Sequence, residues 1–251
     1  MILLRSALLA AFPHGFTTRE GGVSLPPFDS LNLGRSLGDE PGRVEENWRL
    51  LAAATGLGFA RVRQVHGARV VHLAEPSSPT EEADAVLSTR PGLAACISVA
   101  DCVPVLLADP MTGSVAAVHA GWRGTIARAV EAAVRALAGL AGCPPGRLVA
   151  AIGPSIGPCC YEVSTDLATR FAREIGPVVQ TGAGGPHLDL WEANRALLLE
   201  AGLAKERVEV LRRCTSCDKV SFFSHRRDGG LTGRHLAFIA PHVPGAPDPL
   251  P

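Results

Sequence analysis

The chain lacks any excess of charge: 24 lysines and arginines are matched by 24 aspartates and glutamates over 251 residues. Bulk attraction to nucleic acid or to an anionic membrane needs a surplus of positive charge, so both are excluded, and only a local patch is left for an anionic ligand. Lysine is nearly missing, with Lys205 and Lys219 alone, and arginine carries the remaining positive charge. That bias fits base composition or heat adaptation and says little about function. No hydrophobic run is long enough to span a bilayer. The apolar stretch from Met1 to Phe12 is interrupted by Arg5 and reads as a first strand leading into Thr18-Arg19, not as a secretory leader. There is no GxxxxGK phosphate loop and no GxGxxG after a strand, which argues against ATP hydrolysis and nicotinamide chemistry. Cys214-Thr215-Ser216-Cys217 has CxxC spacing, as in a redox pair or half of a zinc site, but no second CxxC follows and a thioredoxin-like context is absent. Internal repeats and low-complexity segments are absent too.

What is present suits a cytoplasmic enzyme. At 47% hydrophobic residues the chain can bury a sizeable core, and a single domain over 1–251 is expected, with 241–251 as a loose proline-rich tail. Seven cysteines, an odd number, in a reducing compartment predict free thiols and no structural disulfide. Apolar spacing predicts helices over 41–55, 127–140 (capped by Thr125), 166–175 and 190–201. Strand-like runs cover 70–73, 93–99, 103–108, 114–118, 148–152, 208–211 and 236–240, and the glycine-rich stretch 182–186 reads as a surface loop.

Three short stretches each offer one soft-metal ligand: Gln64-Val65-His66-Gly67, Ala100-Asp101-Cys102, and Val118-His119-Ala120-Gly121-Trp122-Arg123-Gly124. Two imidazoles and a thiolate suit zinc, and three protein ligands leave a fourth position for water or substrate. Histidines satisfied within a core are the plain alternative. If runs 103–108 and 114–118 pair antiparallel through Asp109-Pro110-Met111-Thr112-Gly113, Cys102 and His119 fall side by side. His66 must then enter from its own loop. A helix starting after Gly124 would turn free amides towards an anion such as phosphate, next to Arg123.

Neighbouring residues carry open alternatives. Asp101 either orients a ligand histidine or caps a turn, and Trp122 either stacks on a substrate ring or fills the core. Arg226 and Arg227, on an extended segment, would point to opposite faces, so one at most faces the site. Cys159, Cys160 and His225 lie within reach of motifs without an assigned part, and Cys96 reads as a buried strand residue.

Taken in order, the stretches Thr18-Arg19-Glu20-Gly21-Gly22-Val23-Ser24, Ser30-Leu31-Asn32-Leu33-Gly34, the three ligand segments, Gly153-Pro154-Ser155-Ile156-Gly157-Pro158, Phe222-Phe223-Ser224-His225-Arg226-Arg227-Asp228 and Thr232-Gly233-Arg234 resemble the YfiH family. Its members are known as laccase-domain or multicopper polyphenol oxidase proteins, as peptidoglycan editing factors and as purine nucleoside phosphorylases. The resemblance implies an α+β fold, a four-layer αββα sandwich related to cytotoxic necrotizing factor-like toxin domains. It implies Zn2+, or Cu2+, on His66, Cys102 and His119 as the catalytic centre, with Arg19, Asn32, Arg123 and Arg226 binding substrate.

Three activities follow as expectations. The first is phosphorolysis of adenosine, inosine or methylthioadenosine to base and ribose 1-phosphate, with adenosine deamination on the same pocket. The second is an amide hydrolase of a peptidoglycan precursor, with Cys102 as nucleophile and His119 as base. The third, copper oxidation of phenols, is disfavoured, because about ten histidine ligands would be wanted and the chain has eight histidines, most outside the motifs. Expected partners are a small nucleoside and phosphate, with no nucleic acid and no membrane, acting on a monomer.

Overall fold

Strands buried on both faces read as continuous apolar runs instead of alternating ones, and the central sequences Leu93–Val99, Val103–Ala108 and Val115–Ala120 are of that kind. They belong to two sheets packed face to face. The structure, a computed structural model, describes residues 1–35, 37–76, 80–182 and 184–242. Among these the elements run β1 (Leu3–Leu4), β2 (His14–Thr17), α1 (Pro41–Thr55), β3 (Gly58–Ala60), β4 (Val70–His72), β5 (Ala85–Ser88), β6 (Leu93–Val99), β7 (Val103–Ala108), β8 (Val115–Ala120), α2 (Trp122–Ile126), α3 (Ala129–Ala141), β9 (Val149–Ile152), α4 (Thr165–Glu174), β10 (Val179–Gly182), β11 (Gly185–Leu188), α5 (Leu190–Glu200), β12 (Val208–Val210) and β13 (His235–Ile239). The expected tail at 241–251 falls outside the described residues from 243 onward.

One sheet has the order β1-β2-β13-β6-β3 and the other β12-β9-β7-β8-β5-β4. Helix α1 covers the outer face of the first sheet, packing Val44, Trp48 and Leu51 on Phe59, Ala94 and Phe238. Between the sheets, Ala95, Ile97, Ala237 and Ile239 meet Leu106, Ala117 and Ala151. The outer face of the second sheet, with Val103, Val105 and Val118, is covered by Val130, Val134 and Leu137 of α3 and Leu197 and Leu198 of α5. The layers are therefore helix, sheet, sheet, helix: the α+β sandwich expected. No helix among the described residues is long and apolar enough to cross a membrane.

Helix ends follow local chemistry. Pro41 opens α1, whose missing amide costs nothing there, and left-handed Gly56 closes it. Ser164 and Asp189 accept from the amides of Leu167 and Glu192 at the starts of α4 and α5.

Several expectations need correction. The helix read over 127–140 is α3, but it starts at Ala129 and is not capped by Thr125, which belongs to the separate short helix α2; Arg128 adopts a left-handed conformation (φ 59°) and separates the two. Arg128 is held there by Glu131 at 2.6 Å and Glu200 at 2.8 Å. The apolar start forms only the two-residue β1; the strand running into Thr18 is β2. The stretch 182–186 is not a free loop, since Gly182 pairs with Gly185 in the β10–β11 hairpin. Strands β3 and β5, of three and four residues, are too short to show a period.

Candidate functional site

The β7–β8 pairing is antiparallel, with Val103 opposite Ala120 and Pro104 opposite His119. Cys102, one residue before β7, thereby lies beside the end of β8. Gly121 makes this closeness feasible: a Cβ there would stand 2.7 Å from Cys102 Sγ. His66 arrives from a loop in which it takes a left-handed backbone (φ 62°). The ligand atoms of His66, Cys102 and His119 lie within 4.8 Å of one another.

A fourth residue, missed by sequence reading, builds this cluster. Asp84 is fully buried and accepts hydrogen bonds from the amides of Val65 (3.2 Å), His66 (2.9 Å) and Gly67 (2.7 Å). Its Oδ1 also accepts from Nδ1 of His119 at 2.8 Å. Burial opposes the carboxylate, but His119 and these amides outweigh it and hold Asp84 below its usual range. An ionised Asp84 can only accept, so Nδ1 of His119 carries the proton and Nε2 is the ring's free donor atom. A lone aspartate in the apolar run Ala83-Asp84-Ala85-Val86-Leu87 was the available signal.

Of the two parts considered for Asp101, orienting a ligand histidine is not the one seen. Its carboxylate accepts from Thr215 Oγ1 (2.6 Å), Ser224 Oγ (3.1 Å) and the Arg226 amide (2.6 Å), not from a histidine. It ties two distant segments to the Cys102 turn.

The cluster's electrostatics suit a charged pair. Burial penalises the Cys102 thiolate, but His119 and His66 more than compensate and bring the thiol down to about 6. Burial likewise opposes protonation of His119, yet the Cys102 thiolate and Asp84 raise it to about 9. Without a metal, a thiolate beside an imidazolium is the favoured state near neutrality.

The three donors open onto a cavity of about 870 Å³. Arg123 lines it and stacks over Trp122 at 4.4 Å. Arg226 lines it, lies 5.1 Å over the Tyr161 ring and donates to the Glu162 carbonyl at 2.9 Å. Arg234 and His225 also line it. Trp122 lines the cavity and also packs on the outer core. Because α2 begins at Trp122, its free amides precede Gly124 instead of following it.

Two of the expected substrate residues lie elsewhere. Asn32 is fully buried and does not line the cavity; its Oδ1 accepts from the amides of Arg234 and Gly34, both at 2.9 Å, so it supports two residues that do line it. Arg19 is engaged with Asp29 (2.7 and 2.9 Å) and the Lys219 carbonyl (3.1 Å), and lies over Phe223. Arg227 turns inward to the carbonyls of Thr215 (2.8 Å) and Phe222 (2.9 Å), so only Arg226 of that pair faces the cavity. Their segment is a series of turns, not the extended stretch expected.

The sequence also left Cys159, Cys160, Cys214 and Cys217 unconnected, yet their sulfurs gather within 4.8 Å of one another, outside the cavity lining.

Comparison with known proteins places this geometry in context. Residues 13–242 match the family described as multi-copper polyphenol oxidoreductase laccase. A purine nucleoside phosphorylase of Deinococcus radiodurans is 46% identical over 241 residues, covering 94% of this chain and 92% of the relative. YfiH of Escherichia coli, also named a purine nucleoside phosphorylase, is 40% identical over 230 residues, covering 89% of this chain and 91% of its own. The crystal structure of YlmD from Geobacillus stearothermophilus is similar with a TM-score of 0.88 at 34% identity, covering 96% of this chain and 99% of that one.

Proposed function

The chain belongs to the laccase-domain family that includes YfiH and YlmD, and from that premise we propose that it is a zinc-dependent purine nucleoside phosphorylase. Its relatives' names support the general activity. Phosphate would attack the anomeric carbon of adenosine, inosine or methylthioadenosine, breaking the glycosidic bond and releasing base and ribose 1-phosphate. One observation carries the reading: a set of two imidazoles and a thiolate opens onto a cavity of about 870 Å³ lined by Arg123, Arg226 and Arg234. That volume suits a nucleoside with phosphate.

His66, Cys102 and His119 would hold the ion, and the donor set fits zinc, with copper as the alternative. Zinc bound there would supply a Lewis acid. Asp84 keeps His119 in the tautomer that presents Nε2. The arginines offer fixed positive charge to phosphate and to the departing purine, where negative charge grows in the transition state. Trp122 and Tyr161 give flat surfaces to a base. The same pocket could pass water to C6 of adenosine, releasing ammonia and inosine. We place the enzyme in the cytoplasm as a monomer acting on small molecules.

Chromatographic product analysis with adenosine, with and without phosphate, tests this. Adenine formed only with phosphate is the expected result. Inosine in either buffer would add deamination, and conversion of neither kind would overturn the nucleoside reading.

A second reading is favoured by the low-lying thiol of Cys102 beside His119 and Asp84, the order of a nucleophile, base and orienting acid. In an amide hydrolase acting on a peptidoglycan precursor, the thiolate would add to the carbonyl, the amine would leave with a proton from His119, and water would cleave the thioester. A trapped thioester together with activity that survives chelation would establish this reading in place of the first.

A further inference from the structure

Of the seven cysteines only Cys96 and Cys102 line the cavity, and four of the others lie together. Cys159 and Cys160 follow the Gly157-Pro158 turn, and Cys217, which Cys214 precedes in the same CxxC stretch, lies 57 positions beyond Cys160. Folding brings all four sulfurs within 4.8 Å of one another. Cys217 Sγ is 3.4 Å from Cys159 Sγ and 3.3 Å from Cys160 Sγ. A disulfide would join Cys217 to one of these and abandon the other, so near-equal spacing to both is not the geometry of a poised pair. The spacing is of the size a metal site needs: zinc bonded to four sulfurs at about 2.3 Å places them about 3.8 Å apart, between the two short contacts and the 4.8 Å within which all four sulfurs lie.

The donors are also held in advance. Cys214 Sγ accepts a hydrogen bond from the Gly157 amide at 3.3 Å, an interaction that supports a metal-bound thiolate. Ser155 and Cys214 form a parallel bridge, reinforced by the Thr215 amide donating to the Ser155 carbonyl at 3.1 Å. The Cys160 amide donates to the Gly157 carbonyl at 3.0 Å and closes the other turn. Cys159 and Cys217 are exposed, which leaves an entry path.

We propose that Cys159, Cys160, Cys214 and Cys217 form a tetrathiolate site for zinc, separate from the histidine-containing cluster and structural in role. Binding releases one proton for each thiol that is protonated beforehand and fills all four positions, leaving none for substrate. The site clamps two segments that frame the cavity. Tyr161, next to Cys160, lines it, and Thr215, between Cys214 and Cys217, donates to Asp101 beside Cys102.

The test is metal analysis of the full-length protein, purified under reductant and loaded with zinc alone. Wild type is expected to hold two zinc ions per chain, and Cys159→Ser/Cys217→Ser and His66→Ala one each. Loss of the tetrathiolate zinc should also lower the thermal midpoint. Should the double variant fail to fold, cobalt-loaded wild type keeps the question decidable. Sulfur-to-cobalt charge-transfer intensity appropriate to four thiolates beyond the contribution of Cys102 supports the site. Intensity appropriate to one thiolate overturns it. So would a single zinc that disappears in His66→Ala, two ions retained by the double variant, or a disulfide from Cys217 to Cys159 or Cys160 under reductant.

Discussion

Asp84 holds more of the site together than any residue expected to bind metal or substrate. It fixes the His66 loop through three amides and His119 through its Nδ1. Asp84→Asn keeps the size but replaces one acceptor oxygen with a donor facing N–H groups. Metal affinity should fall about 10–100-fold, measured by chelator competition on protein whose circular dichroism is unchanged. Unaltered affinity would mean that the loop alone positions the ligands. At this scale His66, Cys102 and His119 were readable because each donor type sits in a motif. Asn32 was readable as a motif residue but not as a support, because its bond to the Arg234 amide spans 202 positions.

At the scale of elements, the contrast between α1 and α3 is instructive. Helix α1 matches its expected bounds, since Pro41, an apolar face and Gly56 all agree. The alanine-rich stretch of α3 offers no local signal for a start at Ala129, and the left-handed Arg128 before it is held by Glu131 and by Glu200, a tertiary partner. The other end of α3 is set locally: Gly142 is left-handed (φ 59°), and an added Cβ would meet nothing within 4 Å. Gly142→Ala should therefore destabilise the protein by about 1 kcal/mol through backbone strain alone. A lower urea midpoint with an unchanged m-value is the expected observation. Short strands such as β3 and β5 gain their identity from pairing with β6 and β8, which sequence periodicity does not carry.

For the whole molecule, the packing around His235 makes stability depend on pH. This histidine is buried on β13, accepts from the Phe223 amide at 2.7 Å and stacks on the Phe223 ring at 5.0 Å. Burial penalises its charged form and, with Arg19 and Arg234 nearby, pushes it down to about 3. In the unfolded chain it titrates near 6.5. As pH falls between these values, the unfolded state takes up a proton that the folded state refuses, so stability falls with decreasing pH. The slope from this one group is at most about 1.4 kcal/mol per pH unit. Urea unfolding of wild type and His235→Gln from pH 7 to pH 4 should show a shallower acid decline in the variant. Parallel curves would remove His235 as the source.

The sequence by itself determined the candidate donors His66, Cys102 and His119, the sandwich class through the family resemblance of its motifs, and the β7–β8 hairpin that sets Cys102 beside His119, whose register turn and apolar pattern fix locally. Tertiary structure alone decided that Asp84 supports both histidines, that Arg19 and Asn32 lie off the cavity, and that four cysteines from two segments converge. Those relations depend on how layers stack and loops meet across long separations, and no short-range period in the chain encodes that.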